Sequence, residues 1–447
     1  MDDLELIAEK IVNQAKAGEE IEAFVAWDEE TSIRVYNGAI ENLSQSQSSG
    51  VGIRIIHNHR NGFAWAGTLE SAAIDFALSE ARDNASFGTE DEYLGLGTAD
   101  NIPAQQLDLW RDDLATLSTE EKVAKALDLE TAVRNSDSRI KSVESANYGD
   151  VSSIAAVLTN TGMKASFRQT FSFVAAHAIA SENGETQTGG GYSVGRTISE
   201  LDVARAASDA SRRATRLLGA TKPPSTRMTV LFDPQVTTTL LAIISGTLSG
   251  EAVIKGRSLF ADRLGEQVAS SIVSLIDDPT NPSAFGASAY DAEGYASRCN
   301  NLITDGVLQG FLFDTYSGRR AGTPTTASAV RGGFSSTPGV GARALLLKPG
   351  TQDQKALIGS IENGVLVQNI SGVHSGVNPI SGDFSVGAEG LIIRSGKLGH
   401  PIKEFTIASS LQKMLQDVTA VGNDIEWIPS VAAGVSLVVD GISVSGI

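Results

Sequence analysis

Five histidines, one cysteine and a few close-set carboxylates are the side chains with which this 447-residue chain could hold a metal or move a proton. A catalytic zinc takes about three protein ligands and keeps one position open. His57, His59, His177, His374 and His400 would supply them only if the fold brought several together. His57-x-His59 on a strand would place both imidazoles on one face. No acidic ligand stands close to them in sequence, so exposed hairpin histidines are the simpler expectation. His374 and His400 both lie in the last part of the chain and would form a ligand set with Asp383 if they met in space. Neither His-Glu-x-x-His nor the longer His-Glu-x-x-x-His occurs.

Tyr290-Asp-Ala-Glu-Gly294 carries two carboxylates two positions apart. On a strand they would face one side, a spacing suited to general acid–base work or to a metal. Without histidine nearby, a polar loop rim is the simpler expectation. Ser317-Gly-Arg-Arg-Ala-Gly322 reads as a basic, solvated turn able to grip a carboxylate. The glycine-dense run Gly332 to Gly341 lacks the lysine and helix of a phosphate loop. No strand–Gly-x-Ser-x-Gly–helix elbow presents a nucleophilic serine. Cys299 follows Ser297-Arg298 with no histidine near it and reads as structural.

Composition narrows the classes. A net charge of -18 and a pI near 4.7 repel nucleic-acid phosphates and anionic membranes, so neither is an expected partner. A single cysteine forms no internal disulfide, which fits a reducing compartment. Met1-Asp-Asp-Leu-Glu is not the start of a signal peptide, and no run of 18 apolar residues exists. The expectation is a cytoplasmic protein.

A chain this long exceeds a single core. The pattern predicts an α+β fold: an N-terminal α/β domain with hairpins and helices over 1–220, a linker at 221–226, and a mostly antiparallel β domain over 227–447. Leu4 to Ala15 has a helical apolar face. Asn37-Gly38 marks a hairpin turn, and a second hairpin is expected to turn at Arg60-Asn61-Gly62. Thr68 is placed as the cap of a helix from Leu69 to Ala85. Residues 88–117 read as an irregular, acidic surface crossing. Ser118-Thr-Glu-Glu121 and Ser199-Glu-Leu-Asp202 read as capping boxes of two further helices. A strand meander is expected between them, from Arg139 to Val194. Past the linker come a strand at Met228–Phe232 and a helix near Val236–Ser245. Short strands at Asp-Gly, Asn-Gly and Ser-Gly turns then follow, interrupted by one helix at Ile407–Val418.

Several segments resemble the TldD/PmbA family, also called the modulator of DNA gyrase family. They are Val51-Gly-Ile-Arg-Ile, Tyr290-Asp-Ala-Glu-Gly294, Gly306-Val-Leu-Gln-Gly-Phe-Leu-Phe-Asp-Thr315, Lys403-Glu-Phe-Thr-Ile-Ala408 and Gly422-Asn-Asp-Ile425. The most specific is His374-Ser-Gly-Val-Asn-Pro-Ile-Ser-Gly-Asp-Phe-Ser-Val-Gly-Ala-Glu-Gly390, and together they cover nearly the whole chain. The resemblance implies two kinds of member. TldD-like chains carry zinc on a His-Glu-x-x-x-His helix with a late cysteine; PmbA- or TldE-like chains lack these and pair with the first kind. Aligning Leu248-Ser-Gly250 with the segment after the motif puts Leu241, Ala242 and Gly246 at its three positions. None can bind zinc or act as a base. No cysteine follows Asn423-Asp424.

The resemblance therefore implies a PmbA/TldE-like subunit with no catalytic residue, metal or cofactor of its own. Its implied partner is a TldD-like metallopeptidase holding the zinc, and the substrate an unfolded peptide that is degraded or matured in an enclosed site. Glycine-rich backbone suits β-augmentation by such a peptide. His374, Asn378, Ser381, Asp383 and Phe384 are the candidate wall, or else turn and packing residues. Two alternatives stay open: a stand-alone peptide-binding homodimer, and a self-sufficient metallopeptidase using His374, His400 and Asp383 or His57 and His59. Nothing in the chain reads as a gyrase- or DNA-binding surface.

Overall fold

The structure, a computed structural model, describes residues 2–447. It is an α+β fold built on two six-stranded sheets. Helix α1 (Asp2–Val12) leads to β1 (Glu19–Tyr36) and β2 (Ala39–His57), which pair antiparallel along their length. Asn37 and Gly38 take positive φ, 52° and 73°, as a two-residue hairpin turn requires. Strand β3 (Arg60–Ala66) returns beside β2, and α2 (Ser71–Phe87) packs on it. An irregular crossing with a 3-10 turn at Leu114–Thr116 reaches α3 (Thr119–Ser136). Strands β4 (Ile140–Thr159), β5 (Lys164–Glu182) and β6 (Glu185–Gly195) follow, then α4 (Val203–Arg216). The order β3-β2-β1-β4-β5-β6 is antiparallel throughout.

Burial along β1 shows what covers this sheet. Ile21 to Ala26 are all buried, whereas from Glu29 to Tyr36 only Thr31, Ile33 and Val35 are. Alternate residues of a strand point to opposite faces. One face is therefore covered along the whole strand, the other only at its start. The first face holds Ile21, Val25, Ile33 and Val35 under the four helices α1 to α4. On the second, Phe24 and Ala26 pack with Val157, Tyr290 and Phe334, where the C-terminal half docks.

Glycines in β6 seat α4 close to the sheet. A Cβ on Gly189 would overlap the backbone of Ala210 and Ala214, and one on Gly191 that of Ala206 and Ala210. Gly190 points the other way, where a Cβ would make only ordinary contacts, with the His177 ring at 3.6 Å and the Ala176 carbonyl at 4.0 Å. We expect Gly191→Ala to cost about 3 kcal/mol, the upper end for overpacking, and Gly190→Ala to be near neutral. Midpoints of urea unfolding check both; equal midpoints would contradict the packing argument.

The C-terminal half begins with β7 (Thr226–Phe232), α5 (Pro234–Thr247) and α6 (Gly250–Ile254). Short strands β8 (Leu275–Asp277), β9 (Asn300–Thr304) and β10 (Val307–Leu308) precede α7 (Thr315–Ala321). The pair β11 (Ala329–Val330) and β12 (Gly339–Val340), then β13 (Leu345–Leu347) and α8 (Gln354–Ser360), lead to β14 (Asn363–Ser371). After α9 (Val373–Gly376) come β15 (Asp383–Arg394), β16 (Lys397–Ser410), α10 (Leu411–Gln416), β17 (Val418–Val421) and β18 (Leu437–Ser445). The main sheet runs β16-β15-β14-β7-β18-β17, antiparallel except for β7 beside β14. Pairing of β16 with β18 closes five of these strands into a ring. Leu240, Leu241 and Ile244 of α5 sit in its core with Phe232, Val367 and Leu411.

Several local expectations change. The second hairpin turns at Asn58-His59, both with positive φ, because His57 already pairs with Arg60. His57 and His59 therefore share no strand face. Helix α2 starts at Ser71 with Glu70 at its cap, and Thr68 only accepts a bond from the Glu70 N–H. The Ser118 capping box is present, but Asp202, not Ser199, caps α4; Ser199 lies in a 3-10 turn at Ile198–Glu200. Ile407 to Ser410 are strand, so the helix expected there is only α10. The basic stretch at 317–322 is not a turn but α7, closed by Gly322 in the left-handed region. The C-terminal half also holds the short helices α6, α8 and α9, which the sequence pattern did not mark.

Candidate functional site

The carboxylates of Tyr290-Asp-Ala-Glu-Gly294 are not a loop rim. Asp291 is 1% exposed and Glu293 3% exposed. Asp291 shapes the loop by accepting the N–H groups of Glu293 at 3.0 Å and Tyr295 at 2.9 Å, while Gly294 takes φ +91°. The loop thereby turns Glu293 toward the N-terminal sheet. Arg54 of β2 lies 2.7 Å from Glu22 of β1 and 3.5 Å from Glu293. Arg331 bonds the other oxygen of Glu22 and stacks 4.5 Å from the Phe24 ring centre. Glu293 also accepts from Thr315 N at 2.9 Å and Thr315 Oγ1 at 2.7 Å. The network thus bolts β1 and β2 to two C-terminal segments. Burial alone would raise the Glu22 carboxyl, but Arg331 and Arg54 beside it hold it below its usual range. Burial pushes Glu293 up to about 7; Arg54 opposes this, and Asp291 and Asp314 add to it. Glu22, held ionised between Arg54 and Arg331, makes the group a clamp between the two halves.

A cleft opens elsewhere between the two halves. Helix α5 starts at the N-cap Asp233, with Pro234 in its first turn. Asp233 also accepts from Arg213 of α4 at 2.8 Å, which ties α5 to the N-terminal half. Gln235 and Thr239, four residues apart on α5, line one wall of a hollow of about 340 Å³. His177 of β5, Gly190 and Tyr192 of β6, and Gln368 to Ile370 of β14 form the others. The hollow continues past Arg213 and Glu389 in one direction, and past Phe171, Phe285 and Trp427 in the other. Tyr192 donates to Glu426 at 3.0 Å and Arg196 to the Ala284 carbonyl at 2.9 Å, fixing the two walls relative to each other.

Strand β14 has an open side here. β7 accompanies it only as far as Val367, opposite Phe232, before the chain turns into α5. Beyond that, Asn369 to Ser371 pair with β15 alone. Gln368 is the extra residue of a bulge, since Val367 pairs with Gly390 and Asn369 with Glu389. Its side chain is 6% exposed, and neither its amide oxygen nor its amide nitrogen has a partner.

The metal positions implied by the resemblance sit on α5. Leu241 is 2% exposed in the apolar core, beside Leu411, Met414 and Leu437. Ala242 is half-buried, and Gly246 is exposed with no atom near a would-be Cβ. These side chains do not fit a zinc, having no ligand atom to offer. Nor do the other candidate sets converge. Asp383 pairs with Ser410, ten positions beyond His400 on β16, a separation on the order of 30 Å. The His57 ring nitrogen lies 3.0 Å from the Gly18 carbonyl, while His59 occupies the turn.

The glycine-rich segment runs from α9 through a turn around 378–381 into β15. Asn378 accepts from Ile380 N and Ser381 N, and Ser381 donates to Asp383 at 2.7 Å. These side chains and His374 are exposed, whereas Phe384 is 2% exposed in the core and out of reach of a ligand. Sequence reasoning missed Gln368, Gln235, Thr239 and His177 as lining groups. The available signal was the polar i, i+4 pair Gln235 and Thr239 in the first half of α5, blurred by Thr237 and Thr238 between them.

Residues 21–85 match the PmbA/TldA metallopeptidase domain 1, residues 112–218 the central domain and residues 225–446 the C-terminal domain. Metalloprotease PmbA of Escherichia coli O157:H7 is 27% identical over 408 residues, 90% of this chain and 87% of that one. A metalloprotease TldD homolog of Haemophilus influenzae is 25% identical over 401 residues, 87% of this chain and 82% of that one. The crystal structure of TldE from Thermococcus kodakarensis shares the fold, with a TM-score of 0.91 at 22% identity over 100% of both chains. The fold and the matched domains are those of a metallopeptidase-like protein. The chain belongs to the PmbA/TldD family.

Proposed function

We propose that this chain is a metal-free, PmbA/TldE-like subunit that assembles with a TldD-like metallopeptidase, which holds the zinc, to degrade or mature unfolded peptides. The observation that carries this reading is α5: the helix is intact and borders the cleft, yet Leu241, Ala242 and Gly246 offer no ligand or base. Similarity to relatives named PmbA and TldD alike supports a fold shared by both kinds of subunit. An uncovered strand edge supports a partner chain. From Ala39 to Gly50, β2 pairs with β1 on one side only, because β3 ends at Ala66, opposite Val51. That edge holds no proline or lysine, the usual guards against strand addition. A second copy of this chain would use the same edge when the subunit is isolated. No helix among the described residues is long and apolar enough to cross a membrane, and a cytoplasmic setting agrees with the single cysteine, Cys299.

A peptidase assay on an unfolded peptide tests the proposal. The lone chain should not cleave, and adding it to a TldD-like protein from the same source should raise cleavage. Cleavage by the lone chain at a rate the partner does not change would sink it.

A further inference from the structure

The basic stretch at 317–322 and the glycine-dense run at 332–341 belong to neither the clamp nor the cleft, yet they meet. They wall a separate hollow of about 300 Å³, which shares no lining residue with the cleft and lies at the small end of the range for ligand sites. Strands β2 and β3 supply a third wall. Asn61 pairs with Ile56, so it lies on the same sheet face as Arg54, two residues before Ile56. We infer that this hollow binds a small zwitterion, a free α-amino acid with an apolar side chain. Donors for its carboxylate come first. Arg54, 9% exposed, keeps its Nε–H idle although its Nη2 meets Glu22. Arg320 gives a bond to the Tyr316 hydroxyl at 3.0 Å and reaches Asp91 only through it. A charged donor without a carboxylate suits one brought by a ligand. Acceptors for the ammonium group lie on the same hollow. The Asn61 amide oxygen is buried and idle, and Asp314, 6% exposed, takes the Ser317 N–H and hydroxyl on Oδ1 alone. Glu251 and Lys255, the other two charges, pair with each other. Leu94, Ile254 and Val340 add apolar surface for a side chain. Gly339 leaves the room, since a Cβ there would meet no atom within 4 Å. A cation alone would face Arg54 and Arg320, and an anion alone would face Asp314. A molecule with both charges answers each of them, as buried charge requires.

The inference does not depend on the partner assignment. The probes are L-leucine, isocaproate, which lacks its amine, and isoamylamine, which lacks its carboxylate. Saturation-transfer difference NMR on the purified chain should show L-leucine binding with a Kd of about 1 mM or tighter. Each half-molecule should bind at least about tenfold more weakly, since it leaves one set of charges unanswered. Arg320→Gln should erase the advantage of L-leucine over isoamylamine. Asp314→Asn, whose side chain still caps α7, should erase its advantage over isocaproate. Gly339→Leu, which fills the hollow, should abolish binding while keeping the far-ultraviolet circular dichroism of the native chain. Hydrogen exchange on the unaltered chain gives a second reading if a variant misfolds: L-leucine should slow the amides of residues 339–340. No binding up to about 10 mM overturns the inference, as does equal affinity for the three probes. Binding that survives Gly339→Leu in a folded chain, or no slowing at those amides, overturns it too. None of these outcomes bears on the mixed complex, which is read by its mass and its cleavage of peptide.

Discussion

Glu22→Ala lowers the stability of the folded chain by about 3–5 kcal/mol, the cost of breaking a buried ion pair from one side. The carboxylate is 1% exposed and receives Arg54 and Arg331 on its two oxygens. Removing it leaves Arg331 without an ion-pair partner and Arg54 with only Glu293 within 4 Å, at 3.5 Å. Water does not readily replace the lost partner, because Arg54 and Arg331 are themselves about as buried as Glu22. The comparison is Glu41→Ala, whose pair with Arg34 is nearly half exposed on both sides and should change stability by less than about 1 kcal/mol. Urea unfolding of both variants decides it. Two similar, small shifts would mean that Glu22 does not hold the N-terminal sheet to the C-terminal half. Because the same two halves form the walls of the cleft, loss of this clamp should also weaken whatever binds there.

Glu293→Gln should stabilise the protein in alkaline buffer and help progressively less as the solution is acidified. The folded carboxyl titrates near 7 against an ordinary 4.5, so the folded chain keeps a proton that the unfolded chain releases. Its contribution is fully present below the unfolded value, declines as pH rises from about 4.5, and is fully lost once pH has passed about 7. Glutamine stays neutral throughout and can still accept from Thr315. Glu22 acts in the opposite sense, since its depressed value gives stability that is lost on acidification. The total pH curve therefore mixes the two, and the difference between variant and parent isolates Glu293. Melting temperatures at about pH 5 and about pH 8 should show the advantage of the variant growing with pH. An advantage that is constant or shrinks would contradict a proton held on Glu293.

Local signals in the sequence were read well where local physics decides the outcome. The Asn37-Gly38 turn, the Ser118 capping box and α5 all follow from residues within one turn of each other. Ile407 to Ser410 went the other way: an apolar period suited to helix is strand because β15 and β18 lie beside it. The clamp joins Glu22 to a residue 309 positions away, a pairing no window reveals. One trace of it was visible, the unbroken apolar run Ala23 to Trp27 directly after Glu22 in β1, which marks a strand covered on both faces. Tyr290-Asp-Ala-Glu-Gly294 drew attention for its carboxylate spacing, but a tight loop, not a strand, aims Glu293. Gln368 had no local signature at all. Val365 to Ile370 reads as an ordinary strand, and the bulge that isolates the amide depends on where β7 ends.

The central claim is that this chain supplies no zinc site and completes its function with a partner that does. Native mass spectrometry with metal analysis tests it most directly, on the chain alone and co-expressed with a TldD-like protein from the same source. The account predicts a lone chain without bound zinc, and a mixed complex whose zinc content equals its number of TldD-like subunits. About one zinc per lone chain, with cleavage of an unfolded peptide, would contradict it and shift the search from α5 to His374, His400 and their neighbours.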